Sequence, residues 1–177
     1  MTPYEQVKQA YLHLCWAIKL SSYLSLHPPK SKIEFDQGIK VTDPEDPHCI
    51  PANQFTNMDD IHLGAENSIL LSVGAFFLAL DTALDEAGYN RNAETDDSLG
   101  QLRILIYMCR CAFAHNVLRP HWEVRGKYLR NLAIEDKGIK IAIDLNLLNG
   151  KEFNINQIGG YSQLFQIKDC TLSMLNS

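Results

Sequence analysis

Two side chains of this 177-residue chain have the types and spacing to act on a phosphodiester. They are Arg110 and His115, in the run Arg110-Cys111-Ala112-Phe113-Ala114-His115-Asn116. A guanidinium keeps its charge at physiological pH and presents a planar fork that matches phosphate oxygens. An imidazole titrates near neutrality and can take or give a proton. The pair suffices for metal-free RNA cleavage, one group neutralising the phosphate while the other moves the proton of a ribose hydroxyl. Asn116, Arg119, Arg103 and His121, from the same stretch, are the further candidates for binding nucleic acid.

The element that must position the pair is a helix. Asp97 or Ser98 caps a segment running from Leu99 to about Asn116, so the motif lies at its C-terminal end. Arg103, Tyr107 and Arg110 form one polar stripe, and Leu105, Met108, Ala112 and His115 a mostly apolar one. On a straight helix, positions five apart point about 140° away from each other. Fraying before Pro120, the reach of the arginine, or a facing second subunit must therefore bring Arg110 and His115 together. Two bland readings stand beside the chemical one. His115 packs on Leu105 and Met108 and bonds a freed C-terminal carbonyl, or Arg110 pairs with Asp81 or Asp85.

Charge distribution favours a local anion site over a coat of basic charge. The formal net charge is −5, yet Gln101 to Ile134 carries Arg103, Arg110, Arg119, Arg125, Lys127 and Arg130 against Glu123 alone. Asp81 to Asp97 is the acidic counterpart, with Arg91 its single cation. The alternative is a solvated basic face paired with those acids.

Upstream, Tyr4, Val7, Tyr11, Leu14, Cys15 and Ile18 mark an amphipathic helix from Pro3 to Leu26, stopped by Pro28-Pro29. Ser31 to Asn57 reads as an irregular excursion, with alternating pieces at Ile33 to Phe35 and Ile39 to Val41 that suit a small hairpin. A second helix starts at Asp59, or at Glu66 after a break at Gly64, and runs to Ala87 as the buried centre of a bundle. Its apolar run, Ile69 to Leu80, falls short of the roughly 20 residues a bilayer crossing needs. Asn90 to Asp97 is a loop.

After Pro120 the pattern becomes β-like, at Trp122 to Val124, Tyr128 to Ile134 and Ile139 to Leu145, the last two joined by a turn at Glu135 to Gly138. Tyr161 to Leu175 closes the chain as a helix. Trp122 is either a core aromatic or a base-stacking one. The expected architecture is mainly α: one domain over 1–177, helical over about 1–119, with an antiparallel β-hairpin over about 122–146 and a C-terminal helix over about 160–175.

The arginine-histidine spacing late in a helix, Ala114 just before the histidine, Asn116 at the helix exit and an apolar helix alongside resemble the HEPN superfamily of helical-bundle domains. The resemblance covers roughly Tyr4 to Arg119. It implies a metal-independent endoribonuclease in which His115 is general acid or base, Arg110 stabilises the phosphate, and the product ends in a 2′,3′-cyclic phosphate. It also implies a homodimer whose two motifs face each other, RNA as substrate, and a toxin or defence role with an antitoxin or other regulatory partner. Cys111 stands where family members often carry a polar residue, and Val117 where antitoxin-paired members often carry a tyrosine. The rival reading is a non-catalytic dimeric module that binds RNA, a nucleotide or a partner protein.

Other chemistry has little to stand on. The five cysteines are scattered and odd in number, which fits reduced thiols in the cytoplasm. The N-terminus lacks a secretory pattern, and no membrane association is expected. Cys109 and Cys111 point about 200° apart on a helix and cannot share a metal. No metal or cofactor is predicted. Phosphate-loop, dinucleotide, serine-hydrolase and zinc-protease motifs are missing from the sequence.

Overall fold

The computed structural model describes residues 1–30, 36, 39–41, 48–50, 53–91, 97–136 and 138–176, with backbone alone at 39–41 and 48–50. The chain divides into two compact units. One comprises Met1–Leu14 with Leu70–Ser177, the other Cys15–Ile69. Four α-helices and two antiparallel β-hairpins make up the regular structure of the described residues.

Helix α1, Pro3–Leu26, begins with a reciprocal cap. The Thr2 hydroxyl accepts from the Glu5 amide at 3.2 Å while the Glu5 carboxylate accepts from the Thr2 amide at 2.8 Å. Pro3 takes the first helical position, where its missing N–H costs nothing. Strands β1, Ile39–Val41, and β2, His48–Ile50, pair with Ile39 opposite Ile50. The piece at 33–35 that was expected to join this hairpin lies outside the described residues.

Helix α2, Met58–Glu86, runs through Gly64 without a break. Asn57 caps it by accepting from the Asp60 amide at 3.0 Å, and Asp60 accepts in return from the Asn57 amide at 3.2 Å. At its far end Gly88, at φ +85°, lets Tyr89 N–H reach Leu84 O at 2.9 Å and Gly88 N–H reach Asp85 O at 3.0 Å, a Schellman stop. In the smaller unit Leu24, Ile61 and Ala65 form a core with Leu20, Phe55 and Met58 against it.

In the larger unit, Tyr11 meets Phe76 and the histidine ring of His13 bonds Ser72 at 3.1 Å, so the two chain segments run antiparallel. Helix α3, Ser98–Phe113, is capped by Asp97, whose carboxylate accepts from the Gly100 amide at 2.6 Å. It also runs antiparallel to α2, since Phe113 lies against Gly74 while Arg103 reaches Asp81 and Asp85. Helix α2 is not the wholly buried centre expected of it. Phe76, Phe77, Leu80 and Leu84 are buried, but Leu71 and Leu78 are 46% and 49% exposed. By length and composition alone α2 could also cross a bilayer, the one such helix among the described residues.

Strands β3, Asn131–Asp136, and β4, Ile139–Asp144, form the expected hairpin with Leu132 opposite Ile143 and Ile134 opposite Ile141. Their buried residues alternate, which turns one face inward. Two amides of the hairpin find side-chain acceptors instead of water. Gln101 of α3 takes Ala133 N–H at 2.6 Å, and Gln163 of helix α4, Gly160–Leu175, takes Lys140 N–H at 2.9 Å. Trp122 to Val124 forms no strand; only His121 bridges Glu152. Trp122 is fully buried among Phe153 and its neighbours and donates to Gln157 at 2.8 Å, so it is a core aromatic and has no face for a base.

Candidate active site

Where α3 stops decides the geometry of the motif. The helix ends at Phe113, three residues earlier than its sequence suggests, and Ala114 N–H turns back to Cys111 O at 3.1 Å. Asn116 then closes a tight loop, its side-chain oxygen accepting from the amides of Leu118 and Arg119 at 3.1 and 3.0 Å. The loop is tied back onto the helix by His121 N–H, which donates to Ala112 O at 3.1 Å and satisfies a carbonyl freed at the helix end. Ala114 keeps helical φ and ψ, so His115 is the first residue beyond the last turn of α3.

The consequence is an open depression of about 270 Å³ that both Arg110 and His115 line, with Tyr107, Met108, Cys111, Ala114, Glu123, Arg125 and Tyr128. His115 is 75% exposed, and its Nε2 stands 3.4 Å from Glu123 Oε2. That exposure contradicts the packed, carbonyl-bonded histidine entertained from sequence. Glu123 also faces Arg125 at 3.9 Å. Glu123, Arg125 and Tyr128 enter the site without having been singled out for it. The one available signal was a lone acid inside a basic run, a few residues beyond the histidine.

Behind the depression lies a carboxylate-arginine network. Asp81 and Asp85 of α2 receive Arg103 at 2.6 Å each, and Arg91 at 3.2 and 3.0 Å. Arg103 is buried and also donates to Tyr89 O at 3.1 Å. It cannot bind nucleic acid, which corrects the expectation from sequence. The pairing expected there between Arg110 and the α2 acids is present with Asp81, but Arg103 makes the shorter bonds. Arg110 keeps a long contact, 4.0 Å from Nε to Asp81, and stays 39% exposed. Three guanidiniums thus converge on two carboxylates, and the surplus positive charge falls to the two partly exposed ones, Arg91 and Arg110.

The remaining candidates sit apart from the depression. Asn116 has its acceptor committed to the loop. Arg119 is exposed, but its carbonyl accepts from His121 Nδ1 at 2.7 Å, which fixes the proton of that ring on Nδ1. Neither Arg119 nor His121 lines the space shared by Arg110 and His115. A second, apolar groove of about 460 Å³ adjoins Arg110 and Ala114, walled by Leu71, Gly74, Ala75, Leu78, Phe113 and Val117.

The Cys109 thiol and the phenols of Tyr107 and Tyr128 stay protonated. Complete burial pushes the Cys109 thiol well up. The Tyr107 phenol is raised by its hydrogen bond with Cys111 and by burial, and the Tyr128 phenol by burial, which the Arg91 charge partly offsets. Cys109 and Cys111 are not bonded to each other, and no group of three or more metal-ligating side chains converges among the described residues. No protein-family model, curated protein or solved structure matches the chain.

Proposed function

We propose that this chain is a HEPN-like endoribonuclease that cleaves RNA without a metal ion, acting in the cytoplasm as a toxin or defence effector. The observation that carries the reading is that Arg110 and His115 line one open depression at the end of α3. An exposed histidine backed by a carboxylate, beside a guanidinium with unspent charge, is the set that a phosphodiester transfer needs.

In the reaction, the Arg110 guanidinium donates to the non-bridging phosphate oxygens and offsets the charge that builds on them. His115 takes the proton of the ribose 2′-hydroxyl. The 2′-oxygen bonds to phosphorus as the bond to the 5′-oxygen breaks, and the leaving oxygen takes a proton from water, which the imidazolium later replaces. The products are a 2′,3′-cyclic phosphate and a 5′-hydroxyl. Glu123, next to Nε2, holds the imidazole so that Nδ1 is the nitrogen turned to substrate, and stabilises the imidazolium that forms. The apolar groove beside Arg110 receives a second copy of the chain, bringing two motifs to one interface. An antitoxin or other regulatory protein would act by covering that region.

A DNA oligonucleotide carrying one ribonucleotide tests the chemistry. With excess chelator, cleavage should fall only 3′ of the ribose and leave a cyclic phosphate. An intact oligonucleotide, or cutting that needs added divalent ions, contradicts the reading. Binding without cutting would favour the non-catalytic module.

A further inference from the structure

Part of the lining of the depression is aromatic, and nothing in the reaction above uses it. Tyr107 of α3 and Tyr128 both line the space that holds Arg110 and His115. Their ring centroids are 5.3 Å apart with the planes inclined by 48°. Tyr107 is held from several sides, with the Arg91 guanidinium 5.0 Å from its ring centre and its phenol bonded to Cys111. Tyr128 ends a short 3₁₀ turn, Gly126–Tyr128, that Gly126 enters at φ +59°, and the Lys127 ammonium stands 5.6 Å from its ring.

We infer that Tyr128, backed by the fixed ring of Tyr107, is a base-stacking wall, and that the substrate is single-stranded RNA with one base laid against it. The inference rests on the reading of this depression as an RNA site. An aromatic ring offers every base a π-face without reading its hydrogen-bonding edge, so the preference is for unpaired strand over sequence. The depression is open to solvent, and a base can lie against the ring only when it is drawn out of a duplex stack. Lys127, whose ammonium lies over the Tyr128 ring, swings off it as a base stacks, and with Arg125 of the same lining supplies positive charge for the adjoining phosphates. Both phenols stay neutral at working pH, so neither ring repels the backbone.

Binding of a labelled single-stranded DNA oligonucleotide tests this independently of catalysis, since DNA has no 2′-hydroxyl to attack. Fluorescence anisotropy should show tighter binding of the single strand than of the same sequence as duplex. Y128A and Y128L should each weaken it roughly tenfold, the leucine filling the space without a π-face, while Y128F stays within about twofold. Equal binding by wild type and Y128L, equal affinity for duplex, or no binding of single strand overturns the inference. Tyr128-dependent binding in a protein that never cuts RNA would instead overturn the ribonuclease reading and leave the stacking wall standing.

Discussion

Arg103 and Arg110 share one helical stripe and one residue type, yet they have opposite fates. The difference lies on another helix, where Asp81 and Asp85 meet Arg103 at 2.6 Å and leave Arg110 at the edge. The acids were legible in the sequence as partners for an arginine of α3. Which arginine they take was not, because that depends on the axial offset between two helices. R103A leaves the buried Asp81 carboxylate with Arg91 at 3.2 Å and the long Arg110 contact, and should cost about 1.5–3 kcal/mol in chemical denaturation. R110A, whose contact is long and half-exposed, should stay within about 1 kcal/mol of wild type. Equal losses from the two variants would contradict this division of labour. Glu123 shows the same limit from the other direction, since its place beside His115 follows from the loop fold and not from spacing along a helix.

At the scale of elements, the helices and the second hairpin were readable from period, caps and turn residues, and their ends matched within a few residues. The informative exception is the end of α3. The pattern suggests a helix to about Asn116, but α-helical hydrogen bonding ends at Phe113, where His121 N–H returns to Ala112 O and Asn116 gathers two amides just beyond. Local pattern does not register a bond made by a residue nine positions later. Helix α2 offers a paired test of packing against propensity. A Cβ at Gly74 would stand 2.8 Å from the Phe113 ring, whereas one at Gly64 meets nothing within 4 Å. G64A should gain roughly 0.5–1 kcal/mol by propensity alone. G74A should lose about 1 kcal/mol on balance, as overpacking between α2 and α3 outweighs the same gain. Urea melts that moved both variants in the same direction would refute the close approach of these helices.

For the whole molecule, the outward stripe of Leu71, Ala75 and Leu78 is the feature least expected from sequence, which placed α2 wholly inside. Continuous apolar character did not reveal that one face is left exposed among the described residues. If that face joins two copies, light scattering should give a dimer at micromolar concentration, and L78D should give a folded monomer with weakened cleavage. A wild-type monomer would remove the basis for a shared interface, and recovery of the protein only with lipid would assign the stripe to a membrane. Stability should also carry a defined alkaline signature. Tyr107, Tyr128 and Tyr161 are raised above 10.0 and Cys109 above 9.0. Each contributes stability that is full below its unfolded value and lost as pH rises through its higher folded value. The melting temperature should therefore hold through pH 8 and fall above about pH 9 to 10, less steeply in Y107F/Y128F. Superimposable curves for the two proteins would show that these phenols are not held as described.

The central claim, that Arg110 and His115 form one cleaving site, is tested most directly on mixed cellular RNA in excess chelator, comparing wild type with H115A and R110A. Wild type should release fragments ending in 2′,3′-cyclic phosphate, and each variant, still folded, should slow this by at least about a hundredfold. Cleavage by H115A at the wild-type rate would contradict the account.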